Sequence, residues 1–481
     1  MITRRQHLKQ GLMALGGFAL TAQAAAPQKK PNILFLAVDD LRPELGCYGR
    51  GYIHSPNIDR IANQGVTFNR AYCQQAVCSP SRSSLLTGTR PDTTKVWDLV
   101  THFRDALPNV VTLPQHFKDN GYFVQGMGKI YHPGYDDEKS WSVPWQTPKA
   151  PTYAQLKTEE TKDEDKPKSK GGPAFESADV ADNFFKDGMV ADLAVKTLRD
   201  LAKKPEPFFL AVGFAKPHLP FVSPKKYWGL YDPAKIQLAP NPYHPKDAPD
   251  YALTNSQEVR NYTGIPAKGP FPDDLARQLK HGYYAAVSYT DAQIGKVLDE
   301  LERTGQRKNT IIVLWGDHGW KLGEHGEWAK HSNVENDTNA PLLLSAPGMK
   351  QGAHANALVE FVDVYPTLSE LAGLPLPGHL EGVSLKPLLE DPKRSFKSAA
   401  FSQYPRGQKL MGYSMRTDRY RLTVWLGRND HSHVDAIELY DHQTDPQENT
   451  NIAKLPENSA LVKELMDQWK KGWQAAKPPR T

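Results

Sequence analysis

Four apolar segments, each followed closely by ionisable residues, constrain this chain more than any other feature. Asn32 through Val38 is apolar after its first residue and runs into Asp39-Asp40. Tyr122–Gly126 precedes Gly128-Lys129, Pro207–Phe214 precedes Lys216-Pro217-His218, and Thr310–Trp315 precedes Asp317-His318-Gly319. Continuous apolar runs of this length fit strands buried on both faces. The segments between them carry helical signals. Ser55-Pro56 opens a helix through Gln64 with Gly65 as its stop, and Pro80 sits just inside another that runs to Thr87 and stops at Gly88. Asp182–Lys203 repeats at helical spacing, and Asp273–Arg303 predicts a long helix. Strands alternating with helices predict an α/β fold, a mainly parallel sheet covered on both faces. Ligands of such sheets bind beyond the carboxyl ends of the strands. Asp39, Asp40, Lys129, His218, Asp317 and His318 are therefore expected to converge on one site.

Residues 1–26 are expected to lie outside the fold. Arg4, Arg5 and Lys9 precede an apolar stretch, Gly11 to Leu20, and then Ala22-Gln23-Ala24. That order is a signal peptide, which implies export machinery as a partner and a periplasmic or secreted working site. The paired arginines resemble a twin-arginine signal, although His7 stands where that pattern usually has Phe, so a Sec signal stays open. Removing the three cations of this segment takes the formal charge from +5 to +2, too little to point to nucleic acid. No later segment approaches the roughly 20 apolar residues of a membrane span. Lys157–Gly172 is poor in apolar residues and is expected to be a mobile surface insertion. Met411–Trp425 and Ile437–Tyr440 predict antiparallel strands, and Ser459–Ala475 a final helix. The expected division is a signal peptide at 1–26, a catalytic domain at 27–394 and a smaller α+β subdomain at 395–481. There are no internal repeats. The three cysteines, Cys47, Cys73 and Cys78, leave at least one thiol unpaired; a Cys47–Cys73 bridge stays open, and no pair has zinc spacing.

Adjacent carboxylates such as Asp39-Asp40 repel, and a divalent cation relieves that cost. Asp317-His318 would complete an oxygen-rich shell with one imidazole, a set that favours Ca²⁺, with Mg²⁺ as the alternative. Cys78 precedes a helix start, where free N–H groups attract anions. Arg82, four residues on, lies on the same helix face.

Cys78-Ser79-Pro80-Ser81-Arg82, extended by Leu85-Leu86-Thr87-Gly88, resembles the Cys-x-Pro-x-Arg signature of formylglycine-dependent sulfatases. Further blocks are similar to iduronate-2-sulfatases: Gln74 to Cys78, Arg90 to Thr94, Gly128 to Pro133, Lys216 to His218, and Asp317-His318-Gly319-Trp320 continuing to Gly323 through Lys330. Leu439-Tyr440-Asp441 with Asp445-Pro446 and Glu448 resembles the family's carboxy-terminal region. The resemblance implies an alkaline-phosphatase-like sandwich and a sulfuric ester hydrolase acting on a sulfated carbohydrate. It implies that a maturation enzyme converts Cys78 to formylglycine, whose hydrated form attacks sulfur. It implies a metal on Asp39, Asp40, Asp317 and His318, with residue 78 as a further ligand. Arg82 would orient residue 78, Lys129 would bind sulfate oxygens, and His132 would take the proton of the second hydroxyl. His218 and Lys330 would face the leaving-group oxygen. Trp320 and Lys330 are implied contacts of an acidic sugar, Trp320 packing its face on the ring; Glu324 and His325 are candidates to support the ligands.

Two rival readings share these residues. One is a phosphatase or phosphonate monoester hydrolase on the same fold; the other is a glycan-binding relative whose cysteine is never converted. Residues 134–178 and 232–272 are mostly loop, and the sulfated sugar is not legible in them.

Overall fold

The computed structural model describes residues 30–155, 172–428 and 430–478. The expected signal peptide and all but the last residue of the Lys157–Gly172 insertion lie outside these residues. The central sheet has seven strands, in the spatial order Ala353–Ala355, Val66–Phe68, Leu342–Ser345, Thr310–Gly316, Asn32–Val38, Phe208–Phe214 and Phe123–Gly128. The last four strands in this order are parallel neighbours, the four expected from the apolar runs. Leu342–Ser345 is antiparallel to both of its neighbours, so the sheet is mixed.

Alternation along Asn32–Val38 explains why both faces are covered. Leu34, Leu36 and Val38 join a core with Tyr283, Val287 and Ile294 of the Asp273–Arg303 helix and Val190, Ala194 and Leu198 of the Lys186–Leu201 helix. Ile33, Phe35 and Ala37 join a second core with Phe117, Val364 and Leu368 on the opposite face. The Asp273–Arg303 helix has the bounds its spacing predicts. The Asp182–Lys203 prediction divides into a short turn, Asp182–Phe184, and the Lys186–Leu201 helix, with Phe185 extended between them at φ −93° and ψ 160°.

Beyond it lies a separate four-stranded antiparallel sheet, Ala400–Arg406, Leu410–Arg416, Tyr420–Gly427 and Val434–Asp441, paired in chain order. Met415, Leu422, Val424 and Leu439 form its core, with Leu465 of the Ser459–Lys470 helix. That helix ends before Gly472, whose φ of +73° separates it from Gly472–Ala475. Cys47, Cys73 and Cys78 are all free thiols, so no Cys47–Cys73 bridge forms.

Candidate active site

The four parallel strands end level with one another. Val38 pairs with both Phe214 and Gly316, and Gly213 with Gly128. Backbone bonds carry the ladder one step further: Asp39 N–H donates to Phe214 O at 3.1 Å, Asp317 N–H to Val38 O at 3.2 Å, and Lys129 N–H to Gly213 O at 2.9 Å. Two glycines permit the last of these. Gly128 turns at φ +68°, and a Cβ on Gly213 would lie 2.1 Å from Lys129 O.

The side chains that emerge are buried and close. Asp39, Asp40, Asp317, His318 and Cys78 are each at most 2% exposed. Ligand atoms of Asp39, Asp40, Cys78 and His218 lie within 4.8 Å of one another, as do those of Cys78, Asp317 and His318. His318 Nδ1 faces Gly319 O at 2.9 Å, which assigns its proton there and leaves the Nε2 lone pair toward the carboxylates. Nε2 is 3.3 Å from Asp40, 3.6 Å from Asp317 and 3.5 Å from Cys78 Sγ. Three buried carboxylates with one imidazole nitrogen fit a hard divalent cation by donor chemistry.

Cationic side chains hold this acidic centre in place. Arg82 donates from Nε to Asp317 at 2.8 Å, from one terminal nitrogen to Asp39 at 3.2 Å, and from the other to the carbonyls of Lys129 and Ile130. One guanidinium thus clamps the ends of three strands. Its hydrogen bonds among the described residues go to these groups and not to Cys78, so Arg82 orients the carboxylates around residue 78. Lys129 contacts Asp39 and lies 3.7 Å from Cys78 Sγ. Burial alone would raise the Asp39 carboxyl; Lys129, His218 and Arg82 outweigh it and hold it well below the usual range. Cys78 is the first residue of the Cys78–Thr87 helix, two residues earlier than Pro80 suggested. Burial, with Asp39, pushes its thiol up.

His132 is partly buried, and its Nδ1 has no partner in the structure. Burial first and Lys129 second lower it to about 4. His218 Nδ1 lies 2.6 Å from Leu219 O, while its Nε2 faces Glu258 at 3.2 Å and Asp40 at 3.9 Å. Lys330 donates to both oxygens of Asp40, at 2.9 and 3.0 Å, and to Glu258 at 3.1 Å.

Trp320 departs from its expected place. Its side chain is fully buried, edge-on to Phe221 at 6.4 Å and beneath the Lys330 ammonium at 4.9 Å. It offers no face to a sugar ring. Its backbone is held by Arg42, which donates to Trp320 O, and by Gly319 N–H bonded to Asp337 O, and these contacts turn the indole into the core. Trp320 instead supports Lys330 from below. Glu324 lies away from the ligands: it pairs with Arg42, two residues beyond Asp40, and is lowered to about 2 because Arg42 overcomes the effect of burial. His325 N–H bonds Asn241 O, and neither of its buried ring nitrogens has a partner in the structure. Glu258 and His331 belong to no sequence motif singled out above, yet they adjoin Lys330 and His218. Only the position of His331, directly after the Gly323–Lys330 block, was a signal.

Comparison with known proteins gives the family and the fold. The sulfatase family model matches residues 31–374, and the model of the N-sulphoglucosamine sulphohydrolase carboxy-terminal region matches residues 323–474. The iduronate 2-sulfatase of Mus musculus is 37% identical, over 94% of this chain and 97% of the mouse protein. A protein solved with its substrate D-glucosamine-2-N,6-O-disulfate superposes with a TM-score of 0.73 at 24% identity, over 92% of this chain and 97% of that one. The phosphonate monoester hydrolase of Agrobacterium radiobacter superposes at 0.74 with 20% identity, over 92% and 95%, and both of these likenesses are of fold alone.

Proposed function

This chain belongs to the sulfatase family, a family of sulfuric ester hydrolases, and we propose that it is an exported enzyme removing sulfate from a uronate-containing carbohydrate by way of a formylglycine at position 78. The observation that carries this reading is the convergence on Cys78 of charged groups from the ends of four parallel strands. The signal-like segment at 1–26 motivates export, and a maturation enzyme would have to reach Cys78 before folding buries it.

Asp39, Asp40, Asp317 and His318, with residue 78, would hold one divalent cation, Ca²⁺ in preference to Mg²⁺. When bound, such an ion supplies Lewis-acid polarisation of a sulfate oxygen. Converted to formylglycine and hydrated, residue 78 would supply the attacking hydroxyl, and its second hydroxyl would let sulfate leave by C–O cleavage. Lys129 stands beside residue 78, where its ammonium offsets charge developing on the sulfate oxygens. His132, neutral above about pH 4, is suited to accept the proton of the second hydroxyl. His218 and Lys330 lie on the Asp40 side and would meet the leaving oxygen. The acidic-sugar assignment rests on the 37% identity to an iduronate 2-sulfatase, because Trp320 no longer supports it.

Sulfate released from a panel of defined sulfated oligosaccharides tests the reading. We expect release from members with a 2-sulfated uronate. Failure on every uronate-containing member would overturn the acidic-sugar assignment. Dominant turnover of nitrophenyl phosphate over nitrophenyl sulfate would favour a phosphatase or phosphonate hydrolase.

A further inference from the structure

Three side chains converge on the Glu258 carboxylate. Lys330 Nζ lies 3.1 Å from Oε1 and 3.0 Å from Oε2. His218 Nε2 is 3.2 Å from Oε1, and His331 Nε2 is 3.2 Å from Oε2. The segment that presents Glu258 is itself braced. Ser256 enters it at φ +59°, and Arg260 closes it by donating to the carbonyls of Asn255, Pro266 and Gly269.

The contacts continue away from the site. His331 Nδ1 lies 2.7 Å from the hydroxyl of Tyr404, on the Ala400–Arg406 strand of the carboxy-terminal sheet. His331 has φ +86°, a conformation side chains seldom adopt, and its N–H donates to Ala76 O at 3.2 Å, two residues before Cys78. A lysine is a flexible point charge with little geometric preference of its own. Here its ammonium is stretched between Asp40 on one side and Glu258 on the other, which leaves it one position. His218 is fixed in the same way between Leu219 O and Glu258.

We propose that Glu258 is the positioning residue for the leaving-group side of the site: its two oxygens fix Lys330 and His218 where the departing sugar oxygen is met, and His331 and Tyr404 brace the carboxylate. This rests on the reading above that Lys330 and His218 serve the leaving oxygen.

The test compares Glu258→Gln and Tyr404→Phe with the matured full-length enzyme on two esters, a 2-sulfated uronate oligosaccharide and nitrophenyl sulfate. A sugar alkoxide needs help to depart; a nitrophenolate does not. Glu258→Gln is expected to lower kcat on the sugar ester about 30-fold or more, and on the nitrophenyl ester less than about threefold, with both KM values within about twofold. Tyr404→Phe is expected to shift the same ratio by about threefold; should Glu258→Gln not fold, this ratio decides alone. Equal losses on the two esters would mean a structural role and overturn the proposal. A lower KM for the sugar ester with kcat retained would mean that Glu258 occupies the place of a substrate carboxylate, and would overturn it too. Absence of sulfate release by the unaltered enzyme would sink the functional reading itself, whereas release with equal losses would sink only the role of Glu258.

Discussion

At the scale of single residues, the site depends on ionisable groups whose neighbours set their state. His132 is the sharpest case. Burial and the Lys129 ammonium both disfavour its charged form, lowering it from 6.5 to about 4. A base works in its neutral form, which here persists down to about pH 4. The acid limb of kcat is therefore expected near pH 4, with activity lost as pH falls through it. A pH–rate profile from pH 3.5 to 7 checks this, and a limb centred near 6.5 would contradict the lowering of His132 by burial and Lys129. Residue types at the strand ends were legible in the sequence because ionisable side chains follow apolar runs closely. Their partners were not. Nothing in the spacing told that Arg82 spends its donors on Asp39 and Asp317, or that the Trp320 ring turns inward. The Trp320 backbone, for one, is held by the Arg42 side chain, 278 positions away in the chain.

At the scale of elements, the close approach of Phe123–Gly128 and Phe208–Phe214 places Lys129. A Cβ at position 213 would lie 2.1 Å from Lys129 O, the same carbonyl that accepts from Arg82. Gly213→Ala is expected to displace the Lys129 peptide by a few tenths of an ångström or more and to lower kcat by about 10²-fold, the scale of an approximately 1 Å misplacement. It should also lower the thermal midpoint. Gly229→Ala, at φ −65° and 3.6 Å from the nearest carbonyl, is the control and should change neither. An unaltered kcat in Gly213→Ala would contradict this placement of Lys129. The long elements were predicted to within a few residues, since apolar periodicity over many residues is a strong signal. Ala400–Arg406 was missed, as its polar and proline residues hide a strand that is completed by pairing with Leu410–Arg416. Glu258 was hidden for a related reason: it stands on the four-residue helix Gln257–Arg260, too short to show a period.

At the scale of the whole molecule, the carboxy-terminal sheet is tied to the rest by buried ion pairs. Arg421, 1% exposed, pairs with Glu448 at 2.6 Å and contacts Glu335, which precedes the Leu342–Ser345 strand of the central sheet. Glu335, Glu448 and His442 could in principle ligate a metal, but the Arg421 guanidinium already sits on both carboxylates. Arg421→Ala would leave the buried Glu448 carboxylate and the half-buried Glu335 carboxylate without their main partner, at a cost of about 3–5 kcal/mol. A clear fall in the thermal midpoint is expected, and an unchanged midpoint would contradict the role of this node. Acid should act on this node and on the separate buried Arg90–Glu360 pair. Burial alone would raise Glu335 and Glu360, but Arg421 and Arg90 lower each from 4.5 to about 2. Stability from a carboxyl depressed in the folded state is present above its unfolded value and is lost as pH falls from there through about 2.

The proposed chemistry turns on what residue 78 has become in the working enzyme. The mass of the peptide containing residue 78, taken from enzyme that releases sulfate, measures this directly. Conversion of Cys78 to formylglycine predicts a peptide about 18 mass units lighter than the encoded one. A fully unmodified thiol in protein that turns over sulfate esters would contradict it.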